Sequence, residues 1–142
     1  MLPFKVAFKP GLSVYQQAVY AAKKSAVSGQ LRPGDLFPSV RALSQALKIN
    51  PNTAHKVVVE LTRQGLLEVR PGLGTVVAEA PEASQQQRTA LLKQDLEHLV
   101  VEAKQLHIDL DDLVGAVSEH WERLSPNAPN TKPEKKLAKE RT

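Results

Sequence analysis

The sequence contains no cysteine, which excludes disulfide bonds and thiolate metal sites and gives no sign of an oxidising compartment. It also has no apolar run near the ~20 residues that a membrane-spanning helix needs. The first residues, MLPFKVAFKPG, lack the apolar core of a signal peptide. We therefore expect a cytoplasmic protein with no membrane partner. Nothing resembles a nucleophile beside its base, so we expect no enzyme.

Charge is distributed unevenly along the 142 residues, which suffice for one small domain and an appendage. Up to Ala78, ten Lys and Arg stand against three Asp and Glu; from Glu79 to Pro126 there are four against ten, and after that five against two. A basic first half indicates a polyanionic partner, and an acidic middle indicates self-association or solvation. Alternatively, the basic half and the acidic middle segment are ordinary solvated surfaces with no binding partner.

Two helices are predicted early in the chain. The first runs over 13–28, with Ser13 as its cap, and Gly29 ends it. The second runs from about Ser39 to Lys48. Its predicted inward residues are Val40, Leu43, Ala46 and Leu47.

A third helix is predicted from the stretch NPNTAHKVVVEL, residues 50–61. Asn50 can cap it and Pro51 suits its first position. Apolar residues recur at helical spacing and form one buried face, while a second face gathers polar side chains near the N-terminus. Two helices joined by a tight turn, the second polar at its start, are typical of a helix-turn-helix. The polar residues are Asn52, Thr53, Lys56 and Glu60, flanked by His55.

Two short β-prone runs, LLEVR and TVVAE, follow this helix and are separated by PGLG. A hairpin at this place would be a β-wing. The helix pair would then supply a rod that fits a major groove ~12 Å wide, and the wing a second contact on the adjacent backbone. Arg70 at the base of the wing and Arg63 on the third helix add positive charge. The pattern therefore indicates a DNA-binding winged helix.

The stretch GQLRPGDLFPSVRALSQALKINPNTAHKVVVELTRQGLLEVRPGLGTVV resembles the DNA-binding domain of GntR-family transcriptional regulators. Its PSVRALS, NPNT and RPGLGTVV elements are most similar to the YtrA-like subfamily. With the first helix, the resemblance covers roughly residues 11–78. It implies a winged helix that binds a palindromic operator as a dimer, and a short two-helix C-terminal dimerisation region.

The resemblance also implies DNA-contacting positions. Arg41 matches the arginine that reaches DNA from the second helix, and Gly72 matches a wing glycine close to the groove. The chain departs from the wider family at His55 and Lys56, where arginine is common at one or the other. Lysine lacks the bidentate fork of arginine. The predicted DNA-binding set is Arg41, Asn52, Thr53, His55, Lys56, Arg70 and Gly72.

Simpler interpretations exist for several of these residues. Asn52 and Thr53 could only satisfy free N–H groups of the first helical turn. Arg41 could pair with Asp35 or Glu60 and never touch DNA. A tight wing turn alone would select glycine at position 72.

Metal binding and cofactors are not expected. None of the four histidines stands at metal-ligand spacing from another. Those histidines are His55, His98, His107 and His120.

The second half carries two apolar stripes on predicted helices. The first follows steps of four and three, as in a short coiled coil, and the second helix begins at HIDLDD with Asp109 as cap. The stripes could pack back on the winged helix or form a homodimer interface, and the resemblance favours the dimer. Two helices offer too few walls for a dedicated effector domain, and a small-molecule effector is left unknown. The predicted dimerisation residues are Leu92, Leu96, Leu99, Leu106, Leu110, Leu113 and Val117.

The predicted fold is mostly α. A winged helix-turn-helix of three helices and a two-stranded wing spans 1–79, a two-helix dimerisation hairpin spans 80–124, and a disordered basic tail spans 125–142. We expect a sequence-specific regulator, a dimeric repressor that binds a double-stranded DNA operator. The alternatives are a winged-helix protein-interaction module and a non-specific architectural DNA binder.

Overall fold

The structure, a computed structural model, describes Leu2, residues 4–79 and residues 83–126. The predicted disordered tail, 125–142, lies outside the described residues from residue 127 onward. The N-terminal part contains α1 (Val14–Val27), α2 (Val40–Leu47), α3 (Pro51–Arg63), β1 (Leu67–Arg70) and β2 (Gly74–Val77). The predicted winged helix-turn-helix, with three helices and a two-stranded wing, is therefore confirmed.

Each of the three helices begins at a side chain that accepts a hydrogen bond from a backbone N–H of the first turn, at 2.7–3.1 Å. The predicted caps Ser13, Ser39 and Asn50 supply these oxygens. Such a cap stabilises a helix by about 1 kcal/mol, because a free N–H would otherwise remain without a partner. The helix starts follow from local sequence for this reason.

The core forms where the apolar faces of α1, α2 and α3 meet the base of the hairpin. The helix α3 lies against both other helices and β1. Burying each large aliphatic side chain here contributes roughly 1.5–3 kcal/mol. The ring of Phe4 lies against that of Phe37, with centroids 5.9 Å apart. The cluster comprises Phe4, Ala18, Val19, Ala22, Leu31, Phe37, Leu43, Ala54, Val57, Leu61, Leu67 and Val77.

One inward residue of α2 was predicted wrongly. Ala46 is exposed, whereas Ser44 is buried. The Ser44 hydroxyl donates a hydrogen bond to the carbonyl oxygen of Ile49, 2.7 Å away. This bond satisfies a backbone group in the turn between α2 and α3, so a polar side chain occupies the inner face. Lys48 completes the turn in the left-handed region, at φ 58°.

The strands pair antiparallel, with Leu67 opposite Val77 and Val69 opposite Thr75. We call residues 67–77 the wing. The segment before α2 runs along the other edge of β2, through a bridge between Leu36 and Val76. The wing is thereby attached to the chain that enters α2.

The C-terminal region begins at the cap Ser84, which exchanges hydrogen bonds with Gln87. Asp109 caps the last helix as predicted, its carboxylate accepting from the N–H of Asp112 at 2.9 Å. The elements are α4 (Gln85–Thr89), a π-helical segment (Ala90–Asp95), α5 (Leu96–Gln105) and α6 (Leu110–Arg123). Among the described residues, no helix is both long and apolar enough to cross a membrane.

Candidate nucleic-acid interface

The N-terminal end of α3 presents its polar side chains to solvent. Asn52, His55 and Lys56 are exposed, and Thr53 is half-buried. The opposite face of the helix, with Ala54 and Val57, is buried in the core. Packing therefore fixes which side of α3 faces outward, and that side carries amide, imidazole and ammonium groups.

The cap of α3 leaves these side chains available. The Asn50 side chain accepts the N–H of Asn52, and Pro51 has no N–H to satisfy. Within residues 4–79, no hydrogen bond from the side chains of Asn52 or Thr53 is present. Asn50, and not Asn52 or Thr53, supplies the side-chain oxygen that caps α3. The interpretation that Asn52 and Thr53 serve only as caps therefore has no hydrogen bond to support it among residues 4–79.

Arg41 lies exposed in the first turn of α2. Neither predicted alternative partner engages it. The Asp35 carboxylate accepts from the N–H of Arg32 at 2.9 Å, and Glu60 binds Arg63. Among the ion pairs of the described residues, none includes Arg41 or Lys56. Their charges are therefore available to an external anion.

Arg63 is different, because Glu60 neutralises it. The Arg63 Nε–H donates to Glu60 Oε1 at 2.9 Å, and the Gln64 amide also donates to this carboxylate. These bonds lower the pKa of Glu60 to about 2. Glu60 is thus engaged by residues three and four positions later in the chain, and is not free on the polar face where its spacing placed it. Arg63 adds less free positive charge than expected.

Arg70 also has an internal partner, though a loosely held one. Its Nε–H donates to the Glu68 carboxylate at 2.8 Å, and both side chains are 45% exposed. Exposed pairs of this kind contribute about 0–1 kcal/mol. A phosphate could therefore replace Glu68 at small cost, and Arg70 remains a candidate contact.

The turn of the wing depends on glycine conformation. Gly72 and Gly74 have φ values of 78° and 114°, which side chains rarely tolerate. The Leu73 N–H donates to the Arg70 carbonyl oxygen at 3.0 Å and closes the turn. Glycine at position 72 thus has a conformational reason, as the simpler interpretation stated, and its nearness to DNA stays a prediction.

Backbone hydrogen bonds place the wing beside the start of α2. The Phe37 N–H donates to the Thr75 carbonyl oxygen at 2.9 Å, and the Val77 N–H donates to that of Asp35 at 2.8 Å. Ser39, the cap of α2, follows two residues after Phe37. The segment 35–37, which leads into α2, is therefore fixed to β2 of the wing, a relation that the sequence pattern did not contain.

Sequence reasoning missed two features of this surface. Lys48 is exposed in the turn between α2 and α3, and the wing carries exposed apolar side chains at Val69 and Leu73. The turn position of Lys48 was a detectable signal. The exposure of Val69 was not, because a short β-prone run does not reveal where the core beneath it ends.

The predicted dimerisation residues do lie at the surface. Among residues 83–126, only Ala103 is buried, and Leu113 is half-buried. The described C-terminal elements share no extended packing with the winged helix, although Pro126 lies against Gly29. The exposed members of the predicted set are Leu92, Leu96, Leu99, Leu106, Leu110 and Val117.

The π-helical segment changes the spacing of the first stripe. The Leu96 N–H donates to the carbonyl oxygen of Leu91, five residues back, instead of to that of Leu92. Leu91, 59% exposed, adds a second exposed leucine next to Leu92 at the start of this stripe.

No metal site is apparent in the part of the chain that the structure describes, where no three His, Asp or Glu side chains are grouped to hold an ion. The surface of α2, α3 and the wing instead combines free cations with hydrogen-bonding side chains. Such a surface can contact phosphates and base edges.

Comparison with known proteins found similar bacterial transcription regulators. The family model for bacterial regulatory proteins of the gntR family matches residues 14–77. The HTH-type transcriptional repressor YtrA of Bacillus subtilis (strain 168) is 33% identical over 101 residues, which cover 70% of this chain and 78% of that protein.

Two solved structures are similar over most of the chain. A transcriptional antiterminator from Listeria monocytogenes EGD-e has a TM-score of 0.76 at 24% identity, covering 91% of this chain and 96% of that one, a likeness in fold. A GntR family transcriptional regulator from Listeria monocytogenes has a TM-score of 0.60 at 26% identity, covering 79% of this chain and 98% of that one.

Proposed function

The chain belongs to the GntR family of bacterial regulatory proteins, in its YtrA-like subfamily, and we propose that it is a dimeric repressor acting at a palindromic operator. Members of this family are DNA-binding transcription regulators and not enzymes. What is proposed for this chain is the set of contacting residues, the dimer, the palindrome and the direction of regulation.

The observation that carries the proposal is the pair of uncompensated cations, Arg41 on α2 and Lys56 on α3, on the helices that also present Asn52. Arg41 and Lys56 bind phosphates and set the register of the protein on the duplex. Asn52 reads a base edge, for which adenine is the matching partner of an amide. Thr53 contacts a neighbouring base or methyl group, and His55 flanks them.

The wing adds contacts beside α2. Arg70 exchanges its exposed Glu68 partner for a phosphate, and Gly72 lets the backbone of the turn approach the groove. The bond between Phe37 and Thr75 fixes the wing to the segment that enters α2, which supports a joint contact of both elements with the duplex.

Exposed apolar stripes support the dimer. Large apolar patches on a soluble protein mark interaction surfaces. One recognition helix covers only a few base pairs, so two copies at half-sites ~34 Å apart, or a multiple of this, provide the specificity. The alternative of packing back on the winged helix gains no support, because the described C-terminal elements share no extended packing with it. The stripes comprise Leu91, Leu92, Leu96, Leu99, Leu106, Leu110, Leu113 and Val117.

Repression would follow from occupancy, since a dimer on a promoter excludes polymerase or a competing factor. YtrA of Bacillus subtilis is named a transcriptional repressor, and this supports the same direction for the present chain. The architectural DNA binder and the protein-interaction module remain the competing functions.

Selection of binding sites from random double-stranded DNA with the full-length chain tests the proposal. We expect an inverted repeat whose affinity exceeds that of a scrambled duplex of equal composition by about a thousandfold or more at physiological salt. Equal affinities for both duplexes would indicate an architectural binder. Absence of binding to either duplex at low salt would indicate a protein-interaction module.

A further inference from the structure

A cleft lies between α1 and the segment that precedes it in the chain. Its volume is about 730 Å³, within the range of ~300–1,000 Å³ that is usual for small-molecule sites. We call it the α1 cleft. One wall comes from residues 4–9, and the other from a single face of α1 that includes Gln17, Tyr20, Ala21, Lys24 and Ser25.

Contacts at both ends hold the wall that residues 4–9 form. The backbone N–H of Lys9 donates to Gln17 Oε1 at 2.9 Å, and the Gln17 amide donates to the carbonyl oxygens of Lys9 and Leu12, at 3.2 Å each. At the other end, the Phe4 ring is buried in the core. The cleft is therefore part of the folded chain and does not need a ligand to form it.

The charge of the cleft is positive and uncompensated. The sequence has no Asp or Glu before Asp35, and no acidic side chain is among the described residues that line the cleft. Three lysines line it, and none of them forms an ion pair with another described residue. An anion would therefore meet these cations without first displacing a carboxylate. The lysines are Lys5, Lys9 and Lys24.

Ser25 adds a buried hydroxyl without a partner to the wall of the cleft. The residue is 5% exposed, and its carbonyl oxygen accepts from the N–H groups of Gln30 and Leu31. Its hydroxyl forms no hydrogen bond among the described residues, whereas that of Ser44, which is also buried, donates to a backbone carbonyl oxygen at 2.7 Å. A buried polar group without a partner is uncommon and costs free energy. The Ser25 hydroxyl is therefore available to an acceptor on a ligand.

Apolar side chains supply much of the remaining surface. Phe4 and Val6 line one wall, and Ala21 and the exposed ring of Tyr20 line the other. A ligand with an apolar body would remove this surface from water, which favours binding in proportion to the area covered. A free inorganic anion could neutralise the lysines but would leave the apolar walls in water. The cleft therefore fits an anion that is attached to an apolar body.

We propose that the α1 cleft binds an organic carboxylate with an apolar body. The carboxylate accepts hydrogen bonds from the Lys24 ammonium group and the Ser25 hydroxyl, and the body lies against Phe4, Val6 and Ala21. A carboxylate suits these partners because it only accepts hydrogen bonds and has two oxygens to do so. This inference goes beyond the proposed function, since it requires neither DNA nor a dimer.

Isothermal titration calorimetry with the full-length chain tests this site. The probe is 4-phenylbutyrate, which combines a phenyl ring, a short alkyl chain and one carboxylate. The alcohol 4-phenylbutan-1-ol has the same body without the charge, and acetate has the charge without the body. We expect saturable binding of one phenylbutyrate per chain, and affinities lower by about tenfold or more for the alcohol and for acetate.

Two neighbouring lysines of α1 provide a matched pair of variants. Both are exposed, but Lys24 lines the cleft and Lys23 is not among the residues that do. Lys24→Glu should weaken phenylbutyrate binding by about tenfold or more, because attraction becomes repulsion, whereas Lys23→Glu should change it by less than about twofold.

Ser25→Ala tests the buried hydroxyl. It should weaken phenylbutyrate binding by about 2- to 10-fold, because one hydrogen bond to the carboxylate is lost. It should not lower the free energy of unfolding in urea, because the hydroxyl has no partner among the described residues. A less stable variant with unchanged phenylbutyrate affinity would show that Ser25 is only structural and would contradict the proposed contact.

Other results would overturn the inference as a whole. Absence of phenylbutyrate binding, or equal affinities for phenylbutyrate and the alcohol, would show that the cleft does not recognise a carboxylate. Equal losses in Lys23→Glu and Lys24→Glu would show a general effect of charge. If phenylbutyrate affinity were unchanged in Lys24→Glu, a loss of operator affinity would assign the lysines to DNA, and dissociation to monomers would assign the cleft to the acidic segment of a second copy.

Discussion

The backbone N–H of Phe37 donates a hydrogen bond to the carbonyl oxygen of Thr75, 2.9 Å away, and so joins the wing to the segment that enters α2. Phe37 is buried and its ring lies against that of Phe4. The wing therefore does not depend only on its own two strands, since two-stranded hairpins are marginal alone. Its position relative to Arg41 is set by the core.

The first prediction concerns salt. Arg41→Ala and Lys56→Ala should each reduce the slope of log affinity against log salt by about 0.9, because each removes one neutralised phosphate. Arg63→Ala is the control, because Glu60 already neutralises Arg63 and the slope should stay nearly unchanged. Fluorescence anisotropy with operator DNA over a salt series measures these slopes. Equal slope changes in all three variants would contradict the assignment of free and compensated cations.

The second prediction separates specificity from stability. Asn52→Ala should weaken operator binding by about 1–3 kcal/mol more than random-sequence binding, since it removes a base contact. Asn50→Ala should instead lower the free energy of unfolding by about 1 kcal/mol, because it removes the α3 cap, and should leave the specificity ratio intact.

Competition binding measures the specificity of the Asn52 and Asn50 variants, and urea unfolding measures their stability. Thr53→Ala tests the neighbouring side chain in both assays. Like Asn52→Ala, it should weaken operator binding more than random-sequence binding. Equal losses on operator and random DNA in both variants would mean that these side chains touch only phosphate.

The third prediction concerns assembly. Truncation after Ala83 should leave a folded monomer with most operator affinity lost, because two weak contacts no longer act as one. The combined change Leu96→Glu and Leu99→Glu should do the same, since both leucines are exposed on one stripe. Sedimentation measures the oligomeric state. A truncated chain that remains a dimer would exclude the C-terminal helices as the interface.

Gln105→Glu is the matched control for the leucine variants. It places one negative charge, against two in the leucine variant, on α5 at an exposed position on the face opposite the stripe. This variant should remain dimeric and bind the operator normally. Dissociation of this control would show that added negative charge, and not loss of the apolar stripe, disrupts the dimer.

The fourth prediction concerns acid stability. The pKa of Glu60 is lowered to about 2 from an ordinary value of 4.5 by Arg63 and Gln64. Its stabilising effect is therefore fully present above pH 4.5 and is lost as the pH falls through about 2. Urea unfolding should show the largest difference between the native chain and Glu60→Gln near neutral pH, and a shrinking difference below pH 4.5. If the difference in the free energy of unfolding did not change with pH, the negative charge of Glu60 would not be the cause of the stabilisation.

Local sequence is enough to predict the helix starts and the wing turn. Ser13, Ser39 and Asn50 act on N–H groups within three residues, and Gly72 supplies a backbone angle at its own position. The buried face of α3 follows likewise from helical spacing, because one stripe must meet the core. These features were predicted because their causes lie within one or two turns of chain.

Tertiary structure alone decided which side chains are buried and which charges stay unpaired, because these features depend on contacts outside the local sequence. Ser44 replaced Ala46 on the inner face because a carbonyl group in the next turn needed a donor. Glu60 and Arg63 are three residues apart on one helix, so their pairing is a local feature. Only the structure shows that Arg41 has no carboxylate at ion-pair distance among the described residues. The place of the wing depends on a bond between Phe37 and Thr75, residues far apart in the chain, and no periodicity records such a pairing. The sequence by itself therefore determined the elements and their faces, and packing decided which charges and apolar groups remained free to bind.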